Sequence, residues 1–209
     1  MLLRSDPLEL MILLPLFIIS IGLHEAAHAY TAHYLGDDTP EREGRLTINP
    51  LAHLDLFGTI FLLVAGFGWG KSVNVDPRRL RHPQRDMSLI AAAGPGANLL
   101  LGLLSVLGLM LTYRGSLSFL ADALLLSAFL NFFLMFLNLV PIPPLDGAKV
   151  LRAFLPDGLG RKFDEFTPYG SLVFLALIFL PGVSTVFLGT LQSLTSGTIG
   201  ALSSTMGGL

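Results

Sequence analysis

Met87–Tyr113 contains no charged side chain, and the neighbouring run Leu117–Val140 contains one, Asp122. Few folds are open to a chain with two such runs. About 20 apolar residues in a helix cross a roughly 30 Å hydrocarbon layer, and both runs are longer than that. Composition agrees: 52% hydrophobic and 13% charged residues among 209, with a mean hydropathy of +0.68, is the balance of a polytopic membrane protein. Two further runs qualify. Leu10–Leu23 crosses only if its helix continues to Leu35-Gly36, and Pro168–Leu188 is a span that Pro181-Gly182 should kink or end. Arg4, the first apolar core and Ala27-His28-Ala29 imitate a secretory signal, but two acidic residues interrupt its start. The length leaves no room for a soluble domain of ordinary size, so residues 1–209 are expected to form one membrane-embedded domain, with a core over 8–150 and a C-terminal helix and tail over 151–209. In the tail 189–209, uncharged and rich in Gly, Ser and Thr, the spacing from Phe187 through Leu191, Leu194, Leu202 and Met206 to Leu209 predicts a packed half-helix.

The first apolar run ends on "LHEAAHAY" (23–30), where three ionisable groups stand in hydrocarbon at a cost of kilocalories. His24 and His28 are four residues apart, so one helical turn brings both imidazoles to one face. This is the H-E-x-x-H pattern, in which the two histidines hold a metal ion and the intervening glutamate, here Glu25, acts on water. The chain has no cysteine, which excludes disulfides, thiolate catalysis and thiolate ligands and leaves His and carboxylates as the strong donors.

A catalytic zinc usually takes three protein ligands and keeps one position open. His33 points off the face, and His53 and His82 lie in polar loops. Asp146, in "NLVPIPPLDG" (138–147), follows a span and three prolines that break the helix, so its carboxylate can bend back toward the membrane interior. An ordinary turn at a membrane boundary explains the same residues. Depth decides which holds. Leu56–Trp69 rises only about 21 Å as a helix, short of the roughly 30 Å core. If it is re-entrant or interfacial, the spans 87–113 and 117–140 return the chain to the side of the histidines, and Asp122 falls on the other side. That side also collects Arg42, Arg45, Lys71, Arg78, Arg79, Arg81, Arg85, Lys149, Arg152, Arg161 and Lys162, leaving Arg4 and Arg114 opposite. The positive-inside rule makes it cytoplasmic.

With these residues assembled, the chain resembles the site-2 protease family of intramembrane zinc metalloproteases. His24-Glu25-x-x-His28 is similar to the family's zinc-binding helix, and Asn138-x-x-Pro141-x-Pro143-x-x-Asp146-Gly147 to its second signature, whose aspartate is the third zinc ligand. "AAAGPGANLL" (91–100), with Asn98, resembles its Gly-Pro-x-x-Asn element, and "NPLAHLDLFGT" (49–59) a feature of small prokaryotic members. The resemblance covers residues 8–150 and implies a membrane-associated β-element, which "GWGKSVNVDP" (68–77) fits. It includes neither an inserted peptide-binding domain nor a nucleotide-binding module.

The expected architecture is therefore an all-α polytopic protein: about four full transmembrane helices, a re-entrant or interfacial segment 56–69, the β-element at about 68–77 and the C-terminal half-helix. The expected activity is hydrolysis of peptide bonds within or next to transmembrane segments of membrane proteins. One Zn2+ is held by His24, His28 and Asp146, and Glu25 is the general base. Asn98 and Asn138 either bind substrate and the developing oxyanion or bond helix to helix. His53 is either an auxiliary polar group at the site or a turn histidine. The exposed backbone of 70–75 offers an edge for an extended substrate. The basic stretch 78–85 suits anionic lipid, not nucleic acid. A transporter would need a polar file across the membrane, for which the spans 87–113 and 117–140 have too few ionisable groups, and a silent scaffold would be expected to have lost Glu25 or a ligand.

Overall fold

The structure is a computed structural model that describes residues 7–65, 68–112 and 118–205. The topology markers Arg4 and Arg114 and the tail residues Met206 and Leu209 lie outside them. Every regular element among the described residues is helical: α1 Pro7–Tyr34, α2 Thr39–Arg42, α3 Leu56–Ala65, α4 Pro83–Thr112, α5 Ser118–Asn138, α6 Asp146–Phe154, α7 Asp157–Phe179 and α8 Val183–Thr205, with short 3-10 turns at Pro50–His53 and Pro77–Arg79.

Three helices are long and apolar enough to cross a membrane by themselves: Met11–Tyr34 within α1, Pro83–Thr112 as α4, and Phe119–Leu139 at α5. The chain is thus a multi-pass membrane protein. The expected fourth span, 168–188, falls on α7 and α8, which meet at 83° across a break of at most four residues at the expected Pro181-Gly182 interruption and make a fourth crossing if the bent pair is one span. Pro181 supplies no N–H to continue α7, and Gly182 turns the chain at φ +83. The expected packed helix in the tail belongs to α8, the 23-residue helix Val183–Thr205, whose buried residues Leu191, Thr195, Ile199 and Ser203 recur every four positions.

α3 is only 10 residues long, about 15 Å, and does not cross. The β-element expected at 68–77 does not form. The only β-type contact among the described residues is one antiparallel bridge, Leu54 to Gly70. A ladder needs a second strand, and the segment's donors go elsewhere: Lys71 N–H to the His53 carbonyl at 2.8 Å, Val73 N–H to Glu25 at 3.1 Å and Asp76 N–H to the buried Asp37 carboxylate at 2.7 Å. It is an extended strap tied at three points, with the Arg45 guanidinium donating to the Ala52 and Lys71 carbonyls beneath it.

α4 is the centre of the bundle, packed on α5, α1 and α6. Its long contact with α1 and α5 brings the C-terminal half of α1, the N-terminal half of α4 and the C-terminal end of α5 to one end of the molecule. α1 stops there because Gly36, at φ +107, turns the chain while the Asp37 N–H closes on the Ala32 carbonyl at 2.9 Å. After α5, Pro141, Pro143 and Pro144 forbid continuation, and α6 restarts at Asp146. The new helix can press on the end of α5 because residue 147 is glycine: a Cβ there would run into the Leu139 carbonyl.

Candidate metal centre

His24, His28 and Asp146 come together as one buried group, the sole such cluster among the described residues, with one donor atom of each within 4.8 Å of the others. The Nε2 atoms are 3.0 Å apart, and Asp146 Oδ2 lies 3.1 Å from His24 Nε2 and 3.2 Å from His28 Nε2. One helix supplies both imidazoles and the first residue of α6 supplies the carboxylate, 118 residues beyond His28.

The remaining ring nitrogens are engaged on the opposite side. His28 Nδ1 is 2.7 Å from the Ile90 carbonyl, which can only accept, so Nδ1 carries the proton and Nε2 presents its lone pair to the cluster. His24 Nδ1 is 2.6 Å from Asn98 Oδ1. Lys149, one turn along α6, has its ammonium 3.8 Å from Asp146 Oδ1.

The donors suit zinc. Two neutral imidazole nitrogens and a carboxylate oxygen are a common catalytic set. Their separations of 3.0 to 3.2 Å approach the edge of about 3.3 Å for a tetrahedron with 2.0 Å arms. The site also depends on Gly94, because a Cβ there would meet Nε2 of both histidines.

The cluster opens on a cavity of about 540 Å³. Glu25 is on its wall, 9% exposed, with Oε2 accepting from the Val73 N–H. The strap residues Ser72, Val73 and Asn74 form one side, and Ile21, Leu134, Leu137 and Phe174 give the other an apolar lining.

The other candidates separate. Asn138 lines the cavity while its amide donates to Leu134 O at 3.0 Å. Asn98 is fully buried, turned to His24 and to Asn131, and is not on the cavity wall. His53 is also fully buried off the wall, with Nε2 on the Thr47 carbonyl at 3.0 Å. His33 pairs with Glu41 at 3.3 Å on the surface, and Asp122 is exposed. Sequence reasoning missed Gly94, the Val73 N–H and Asn131. Gly94 carries no signal beyond the Gly-Pro pattern around it, a backbone N–H carries none, and Asn131 stood out only as an amide inside an apolar span.

Comparison with known proteins agrees with this geometry. The profile of Peptidase family M50 matches residues 114–181. The chain is 41% identical over 183 residues to a protein of Bacillus subtilis named "Putative zinc metalloprotease YwhC", covering 84% of each chain. It is 34% identical over 182 residues to the protein named with the same words and Rip2 in Mycolicibacterium smegmatis, covering 82% of this chain and 68% of that one. The Rip2 of Mycobacterium tuberculosis strain H37Rv is 32% identical over 180 residues, with 83% and 68% covered. No solved structure matches. With its zinc-type cluster of His24, His28 and Asp146 between membrane-crossing helices, the chain belongs to peptidase family M50, the site-2 protease family of zinc metalloproteases.

Proposed function

We propose that this metalloprotease cleaves peptide bonds within or next to transmembrane segments of other membrane proteins, with Glu25 as general base and the scissile bond on the cytoplasmic side. The observation that carries this is a buried carboxylate, Glu25, on the wall of the same cavity as the three metal donors, beside spans that cross the membrane.

When bound, zinc supplies Lewis acidity, which makes a water more acidic and a peptide carbonyl more electrophilic. The rest is the work of the chain. Glu25 takes the proton of the attacking water and delivers it to the departing amine. The Val73 N–H on Oε2 fixes the carboxylate and leaves Oε1 to exchange that proton. Asn138, at the cavity wall, donates to substrate carbonyls after releasing its bond to Leu134. The apolar wall receives a membrane-embedded segment. Ser72 and Asn74, which form no backbone-to-backbone hydrogen bond among the described residues, hold that segment extended. Lys71, Arg78, Arg79, Arg81 and Arg85 on the strap side support a cytoplasmic face in contact with anionic lipid.

The test is metal analysis of the purified protein and cleavage of a transmembrane reporter, beside Glu25→Gln and Asp146→Ala. Glu25→Gln should keep zinc and lose about 10²–10⁴-fold in rate, and undiminished cleavage would end this assignment. Asp146→Ala should lose zinc; full metal content there would remove Asp146 from the ligand set.

A further inference from the structure

His24 and His28 differ in how their metal-facing nitrogens are prepared. For His28 a backbone carbonyl does it directly. For His24 the partner is a carboxamide, which has a donor end and an acceptor end of nearly the same shape. Asn98 pointed the wrong way would offer its NH2 to Nδ1, drive the ring proton to Nε2 and remove the lone pair a metal needs. Something must decide its orientation.

The deciding contacts run from α4 into α5. Asn98 Nδ2 donates to Asn131 Oδ1 at 3.0 Å, and Asn131 Nδ2 donates to the Ser127 carbonyl at 2.9 Å. Asn98 is fully buried and Asn131 is 1% exposed, so no water corrects a misdirected amide. The direction of the whole chain follows from its far end. The Ser127 carbonyl can only accept, so Asn131 must present its NH2 to it and its oxygen to Asn98. Asn98 must then present its own NH2 to Asn131 and its oxygen to His24. Nδ1 must therefore be the protonated nitrogen, and Nε2 the donor to metal.

We propose that Asn131 is a positioning residue for the metal centre: through Asn98 it imposes on His24 the tautomer that binds zinc. This rests on His24 being a zinc ligand. Plain helix-to-helix bonding would need neither the order of donors and acceptors nor a terminus at the ring of a ligand. The hydroxyl pair beyond it, Ser105 and Ser127 at 2.8 Å, is not part of the device, because Asn131 is nearer the Ser127 carbonyl than its Oγ, 2.9 against 3.5 Å.

The experiment measures zinc affinity of the full chain in detergent by competition with a chromogenic chelator, and the visible spectrum after cobalt(II) replaces zinc. Asn131→Leu should weaken zinc about tenfold, the lower end of what outer contacts to metal ligands contribute, and change the cobalt spectrum. In an Asn98→Ala background the same substitution should have no further effect, since the relay is already cut. Ser127→Ala should bind zinc as the unaltered protein does. An unchanged affinity in Asn131→Leu, or equal losses in both backgrounds, would overturn the proposal, the second by showing a merely structural role. If the Leu variant does not fold, Asn131→Ala is read by the same criteria. His24→Ala keeps the two questions apart. If it loses zinc while Asn131→Leu keeps full affinity, only the relay fails; if it binds zinc like the unaltered protein, the ligand assignment itself fails.

Discussion

Polar side chains inside the membrane part behave in two ways, and α8 and the α4/α5 pair show the contrast. In α8, Thr190, Ser193, Thr195 and Thr198 each donate to the carbonyl four residues earlier in their own helix. These bonds close locally and place nothing. In α4 and α5, Asn98 and Asn131 reach from helix to helix and on to a histidine of α1. α7 is also mostly exposed: only Gly160, Gly170 and Phe174 in it are buried. A polar group in lipid must find a partner, and the amides that bear on the site are those that reach another helix as well as their own.

The contrast can be broken at its strongest point with Gly94→Ala, which puts a methyl group against Nε2 of both histidines. Zinc retention should be abolished, and metal content equal to the unaltered protein would show that the α1–α4 approach is not what builds the centre. Next in size is Val73→Pro, which deletes the N–H that Glu25 accepts. A hydrogen bond to a charged group is worth about 1.5–3 kcal/mol, so kcat should fall by roughly tenfold or more with zinc kept. Val73→Ala, which keeps the N–H, should leave kcat unchanged, and a similar loss in both would assign the effect to the side chain.

In α8 the effects should appear in stability alone. Leu191→Ala removes a side chain that is 4% exposed and packed with Leu137, Leu145 and Phe174. Its cost should fall at the low end of the ~2–5 kcal/mol range, because lipid tails solvate leucine as well as the interior does. Zinc content should not change, and a loss of zinc would extend the metal centre's support into α8. Smallest is Thr195→Val, which deletes a bond internal to one helix; the shift in stability should stay below about 1 kcal/mol. A larger shift, read from thermal unfolding in detergent, would mean that the fully buried Thr195 does more than close on Leu191.

Much of this was legible without coordinates. The spans at α4 and α5 follow from uncharged length alone, α1 is long enough only because its helix runs on through the His24-Glu25-x-x-His28 turn, and α3, ten residues long, is too short to cross by itself. The convergence of His24 with His28 follows from helical period. The return of Asp146 to the same end followed from counting crossings, since depth is a one-dimensional quantity that span lengths nearly determine. The errors lie where partners had to be guessed. Residues 68–77 have strand-like alternation, but among the described residues no strand faces them, and the Asp37 and Glu25 carboxylates take donors that a ladder would have used. Pro181-Gly182 was visible as an interruption, yet the 83° between α7 and α8 depends on what each helix packs against.

The sequence by itself determined the solvent, the three continuous crossings, the donor chemistry open to a chain without cysteine, and the pairing of two imidazoles on one turn. These depend on composition and on periods of a few residues. The tertiary structure alone decided which atom of each donor faces the cluster, how Glu25 is held, and which way the Asn98 and Asn131 amides point. Those outcomes arise where a Cβ at Gly94 would meet both histidine rings and one at Gly147 the Leu139 carbonyl, and where the Ser127 carbonyl dictates the direction of the hydrogen bonds that follow it. No local propensity encodes the contacts that join His24 to Asn98, Asn98 to Asn131 and His24 to Asp146, because those residues are dozens of positions apart.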